Sequence, residues 1–88
     1  MRQADRPHVI VSADPRCPGQ YLRSYNPEAH GGLGSAEWVA DIAQAQVYPT
    51  FRDAFEAWRQ VPKSRPVRGD GRPNRPLTSF TVEFEVAP

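Results

Sequence analysis

Apolar and polar positions alternate most regularly near the C-terminus. There Phe80, Val82, Phe84 and Val86 interleave with Ser79, Thr81, Glu83 and Glu85. A period of two predicts a strand in a sheet with one dry and one wet face. Over residues 50–61 the period becomes helical. Phe51, Ala54, Phe55, Trp58 and Val61 form one apolar stripe, and Arg52, Asp53, Glu56, Arg59 and Gln60 take the opposite face. Thr50 is a good N-cap, and Asp53 in the first turn suits the helix dipole. Pro62 disfavours helical geometry at Val61 and removes a donor, so the helix should stop there.

The remaining pattern is shorter-ranged. Residues 8–12, His-Val-Ile-Val-Ser, read as a first strand that ends at Asp14-Pro15 and the turn-rich Cys17-Pro18-Gly19. Residues 20–25 read as a second strand, with Tyr21, Arg23 and Tyr25 on one face and Leu22 and Ser24 on the other. So short a connection predicts an antiparallel hairpin. Residues 26–35, with Pro27, Gly31, Gly32 and Gly34, should be a mobile loop. Residues 37–41 fit a third short strand around Trp38, and Asp41 fits the cap of one helical turn through Ile42 and Ala45.

The expected fold class is α+β: a small antiparallel sheet of three or four strands packed against one amphipathic helix at about residues 50–61. Trp38, Tyr48, Phe51, Phe55, Trp58, Phe80 and Phe84 should supply most of its core. The helix and the last strand are joined by residues 62–76, which hold Pro62, Pro66, Pro73, Pro76, Gly69 and Gly71. A connection of about fifteen residues is long for a compact domain, and such loops are usually functional or disordered.

With 88 residues, 39% hydrophobic and 24% charged, the chain has the composition of one small globular domain spanning 1–88. The longest aliphatic run, Val9-Ile10-Val11, is too short for a membrane span or a signal-peptide core. The single cysteine, Cys17, excludes an internal disulfide and fits a reducing, cytoplasmic setting. The net charge of +1 conceals an asymmetry. Residues 59–76 carry Arg59, Lys63, Arg65, Arg68, Arg72 and Arg75 against Asp70 alone, while acids outnumber bases on both sides. The basic segment is also the proline-rich one.

Tyr21-Leu22, Trp38 through Asp41, and Ala45-Gln46-Val47-Tyr48 followed by Thr50-Phe51-Arg52-Asp53-Ala54 form a second pattern. It resembles small uncharacterised proteins encoded by bacteriophages and prophages, in which a strand carrying Tyr-Leu precedes a Trp-x-x-Asp stretch and a capped helix. The similarity covers residues 20–58. It implies a mobile-element origin and carries no catalytic residue with it.

Candidate chemistry is sparse. Gly31-Gly32-Leu33-Gly34 lacks the Gly-Lys-Ser/Thr ending of a phosphate loop. His8, Cys17 and His30 match no zinc spacing, and the pairs Asp53/Glu56 and Glu83/Glu85 fall on solvated faces. Arg68-Gly69-Asp70 spells a cell-adhesion tripeptide, but three residues recur by chance. No catalytic residue, metal or cofactor is expected. The reading is a non-enzymatic binding module that covers a host protein, with an anti-defence inhibitor such as an anti-CRISPR as one specific form. The alternative is a nucleic-acid-associated accessory protein that uses residues 59–76. The expected contact residues are Arg65, Arg68, Arg72 and Arg75 on the linker, with Tyr21, Arg23 and Tyr25 on the adjoining sheet.

Overall fold

Strands β1 (His8–Ser12), β2 (Tyr21–Asn26), β3 (Ser35–Val39) and β4 (Val82–Val86) form one antiparallel sheet in the order β3-β2-β1-β4. A tight turn, α1 (Ala29–Gly32), in which His30, Gly31 and Gly32 all have positive φ, lies between β2 and β3, and the main helix, α2 (Phe51–Trp58), lies between β3 and β4. The computed structural model describes residues 5–88, so the first four residues of the expected 1–88 domain lie outside it. The α+β class expected from periodicity is the one observed.

The first and last strands are neighbours. They run in register from His8 opposite Val86 to Ser12 opposite Val82. This pairing makes β1 an internal strand, and all five of its residues are buried. Its other side is shared. Only Val11 pairs with β2, at Tyr21, while His8 exchanges two 2.8 Å backbone hydrogen bonds with Tyr48. The Gln46 N–H donates to the Leu22 carbonyl at 2.9 Å, so residues 46–48 fill the fork between β1 and β2. Backbone groups left open by the divergence of the strands are thereby satisfied.

One expected face is corrected by a bulge. Leu22 opposes Trp38, but Ser24 opposes Glu37 and Tyr25 opposes Ala36, so Arg23 is an extra residue in β2. A bulge shifts side-chain parity by one. Tyr25 therefore turns to the Leu22 face and packs against the core, leaving the face that simple alternation gave it beside Tyr21 and Arg23. Burial pushes the Tyr25 phenol above its ordinary pKa.

The helix forms for the local reasons written in its sequence. The Thr50 hydroxyl accepts from the Asp53 N–H at 3.2 Å and donates to the Asp53 carboxylate at 3.0 Å. Phe51, Ala54, Phe55 and Trp58 face the sheet, where Phe84 meets the rings of Phe51, Phe55 and Trp58 at 5.2–6.0 Å between centroids. The helix ends at Trp58, three residues short of Val61. Asp41 caps a short turn over Ile42–Gln44, its carboxylate accepting from the Ala43 N–H at 2.9 Å.

The centre of the core is aliphatic. Ile10, Leu22 and Ala54 are fully buried and Leu77 is 1% exposed, while Trp38, Tyr48, Trp58, Phe80 and Phe84 form a partly buried shell around them. Phe51 is 38% exposed. The expectation of an aromatic core is thus corrected: large rings cannot all be enclosed in so small a body, and they close its rim.

Candidate functional site

The basic linker is structured. The Arg68 N–H donates to the Arg72 carbonyl at 2.8 Å, and the Asn74 N–H to the Pro66 carbonyl at 3.0 Å. Val67 bridges Pro73 in antiparallel sense. The turn closes with Gly71 donating to the Arg68 carbonyl at 3.0 Å, and Gly71 sits at φ 85°, where glycine carries no Cβ penalty. Asp70 stiffens the tip, accepting from the Arg72 N–H at 3.0 Å and pairing with the Arg68 guanidinium at 3.3 Å. The expected exposed loop is a small β-hairpin whose side chains from Lys63 to Pro73 remain exposed.

Its base is tied to α1 and the glycines beside it. The Glu28 carboxylate accepts from the Lys63 and Ser64 N–H groups at 2.6 and 2.8 Å; the Ser64 side chain first, then these two N–H groups, hold it below its ordinary pKa. The Asn74 side chain donates to the Gly32 and Arg65 carbonyls at 2.8 and 2.9 Å. A Cβ on Gly32 would lie 2.4 Å from the Arg65 Cβ, so only glycine permits this approach. The Gly-rich segment, expected as a mobile loop, instead packs against the linker.

Between this hairpin, the C-terminal end of α2 and the short 3-10 turn Pro76–Ser79 lies a groove of about 680 Å³. Phe55 and Trp58 line it on the helix side, together with four arginines, Arg59, Arg68, Arg72 and Arg75. Asn74, Thr78 and Ser79 add polar edges. The charges are unequally satisfied. Arg68 pairs with Asp70, and Arg59 lies 5.1 Å above the Phe55 ring. The Arg75 Nε and Trp58 Nε1 donors are closed off from water, with no acceptor among the described residues. The cluster of like charges raises the affinity of such a groove for an anion.

Three of the seven expected contact residues meet here: Arg68, Arg72 and Arg75. Arg65 is turned to Gly32 and does not line the groove. Tyr21 and Arg23 belong to β2, and Arg23 pairs with Glu37 at 3.3 Å on exposed sheet surface. Tyr25 is half-buried and packs against the core. The seven do not form one surface, because the bulge divides the β2 set and the hairpin turns Arg65 to its base. Reading the helix face alone missed Phe55, Trp58 and Arg59. The signal was present: the basic segment begins at Arg59, the residue that follows Trp58 and lies within the span of the apolar stripe.

Cys17 lies 3.1 Å from the Ser12 hydroxyl, and His8 binds the Arg6 carbonyl through Nδ1 at 2.7 Å. Among the described residues, no three His, Cys, Asp or Glu side chains converge on a point where a metal could sit. No described helix is long and apolar enough to cross a membrane. Compared with protein-family models, with curated proteins and with solved structures, the chain matches none.

Proposed function

We propose that this protein is a non-enzymatic binding module whose arginine-lined groove docks on an acidic surface of a host protein. The carrying observation is the convergence of Arg59, Arg68, Arg72 and Arg75 on one concavity, with Asp70 as the only acid in that stretch of chain. A guanidinium fork pairs bidentately with a carboxylate, and a preordered hairpin loses less entropy on docking than a free loop. Origin in a phage or other mobile element belongs to the same proposal and rests on the resemblance over residues 20–58. Inhibition of a host defence system, CRISPR included, is its most specific form.

The ring packing favours protein over nucleic acid. Binding of single strands uses aromatic faces free to stack on bases. Here Phe55 is occupied by Arg59 and by the Phe84 edge, and Trp58 meets both Phe55 and Phe84. Tyr21 and Tyr25 lie outside the groove.

A labelled glutamate-rich peptide and a single-stranded DNA oligonucleotide, titrated in parallel into the protein, test this. The peptide should bind. Replacing exposed Arg68 and Arg72 together by Ser should weaken it at least tenfold, or about 1.4 kcal/mol, with the melting temperature nearly unchanged. Arg65→Ser should have little effect. Tighter binding of DNA, with a steep salt dependence, would favour the nucleic-acid reading.

A further inference from the structure

The last strand carries a second feature, independent of the groove. In the β1–β4 ladder the Ala13 N–H donates to the Thr81 carbonyl and the Ala87 N–H to the Pro7 carbonyl, both at 2.8 Å. Hydrogen-bonded pairs in an antiparallel ladder recur every second residue. Thr81, Glu83, Glu85 and Ala87 therefore bond to β1, and the N–H and C=O groups of Val82, Phe84 and Val86 point away from it. With β4 last in the sheet order, those six groups form a free edge, and no backbone partner for them occurs among the described residues.

Proteins usually blunt such edges with proline, lysine or a bulge. Strand β4 has none of these and stays in register over all five residues, whereas the irregularity of this sheet lies in β2, on the side of the opposite edge. What β4 does carry is Glu83 and Glu85, both exposed and on the face away from α2, with neither in an ion pair among the described residues. Two like charges discriminate between occupants. A second copy pairing antiparallel about Phe84 would set Glu83 against the copy's Glu85, which like-charge repulsion disfavours. A strand with cations at those positions would be held by both the backbone and the carboxylates.

We infer that the free edge of β4 accepts, by strand addition, an extended segment of a partner protein with lysine or arginine at alternate positions. Outward backbone groups at Val82, Phe84 and Val86 supply the hydrogen bonds. Glu83 and Glu85 select the sign of the guest's solvent-side residues. The half-buried Val82, Phe84 and Val86 side chains favour apolar residues on its other face. Because the groove is basic, it repels the same segment, so the two sites take partners of opposite charge.

The probe is a synthetic peptide of alternating lysine and valine, titrated into the full chain while amide hydrogen exchange is followed by NMR. In the free protein the amides of Val82, Phe84 and Val86 should exchange fast and those of Glu83 and Glu85 slowly. At saturation the fast set should become protected. A glutamate–valine peptide should leave those amides unprotected, and Glu83→Lys with Glu85→Lys should weaken the lysine peptide at least tenfold. Val86→Pro removes one outward N–H without touching the ladder, so the variant should fold and lose binding. If it does not fold, the exchange pattern of the parent protein decides. Absence of protection at millimolar peptide overturns the proposal. So does protection of the same amides in the free protein with sedimentation as a dimer, which would make the occupant a second copy. Retention of lysine-peptide binding by the Arg68→Ser/Arg72→Ser variant separates this site from the groove.

Discussion

At the scale of single residues, the glycines at the end of α1 and just after it matter for where they stand more than for any flexibility they add. Gly32 at φ 96° meets Arg65, and at Gly34, at φ 84°, a Cβ would come within 2.8 Å of Pro76 and 3.0 Å of the Tyr25 hydroxyl. Gly32→Ala combines a left-handed backbone with a clash against another segment's Cβ. It should destabilise by about 1–3 kcal/mol, the usual scale of a strained backbone position, and loosen the base of the hairpin. A thermal melt with hydrogen exchange at Lys63 and Ser64 measures both effects; unchanged protection there would mean that the contact does not hold the linker. Counting glycines suggested an open loop. Their packing role could not be read locally, because Arg65 is remote in sequence and meets Gly32 only in the folded chain.

At the scale of elements, α2 is the most self-explanatory part of the molecule. Its cap and its stripe both follow from local spacing, and they agree with the observed contacts. Thr50→Ala removes an acceptor for the Asp53 N–H and should cost about 1 kcal/mol. For so small a domain this is a fall in melting temperature of about 4–8 °C. Trp58→Ala should cost more, about 3 kcal/mol, the lower end for aromatic truncation, because the ring is only partly buried yet packs against Phe55 and Phe84. A loss below about 1 kcal/mol in a denaturant titration would contradict the α2–sheet packing described. Strand β2 is the opposite case. Nothing in Tyr-Leu-Arg-Ser-Tyr announces a bulge, and its position is set by fitting β2 to β3 across the Tyr25–Ala36 pair.

At the scale of the whole molecule, one polar cluster joins the β1–β2 turn to the segment entering β4. Asp14, 7% exposed, accepts from the Arg16 backbone N–H at 2.9 Å and from its guanidinium at 2.8 and 3.0 Å. That guanidinium also donates to the Ser79 carbonyl at 2.8 Å and lies 4.1 Å above the Phe80 ring. These bonds hold the Asp14 carboxyl far below its ordinary range, and Glu28 is lowered by its bonds to Ser64 and Lys63. A depressed folded-state pKa means that the unfolded chain binds the proton more readily. The stabilisation is therefore complete at neutral pH and is lost as the pH falls below about 4. Melting temperature should be level above about pH 5 and drop on acidification. Asp14→Asn should start lower at neutral pH and show a shallower acid limb. An acid limb equal to that of the parent would assign the pH dependence to other carboxylates.

Local pattern alone determined the strand at residues 8–12, the capped helix as far as Trp58, the last strand from Val82 on (the alternation before it, at Ser79 and Phe80, falls in and just after a 3-10 turn) and the excess of arginine in the linker. Each depends on neighbours within a few residues, and periodicity records such neighbours directly. Tertiary structure decided the rest. The first strand pairs with the last, Tyr25 turns inward and Leu77 reaches the centre of the core. Phe55 and Trp58 become one wall of a groove whose other walls come from beyond Pro62. The physical reason is common to all four. Contacts between segments far apart in sequence are selected by burial and hydrogen-bond satisfaction over the whole chain, and no short stretch of residues carries that information.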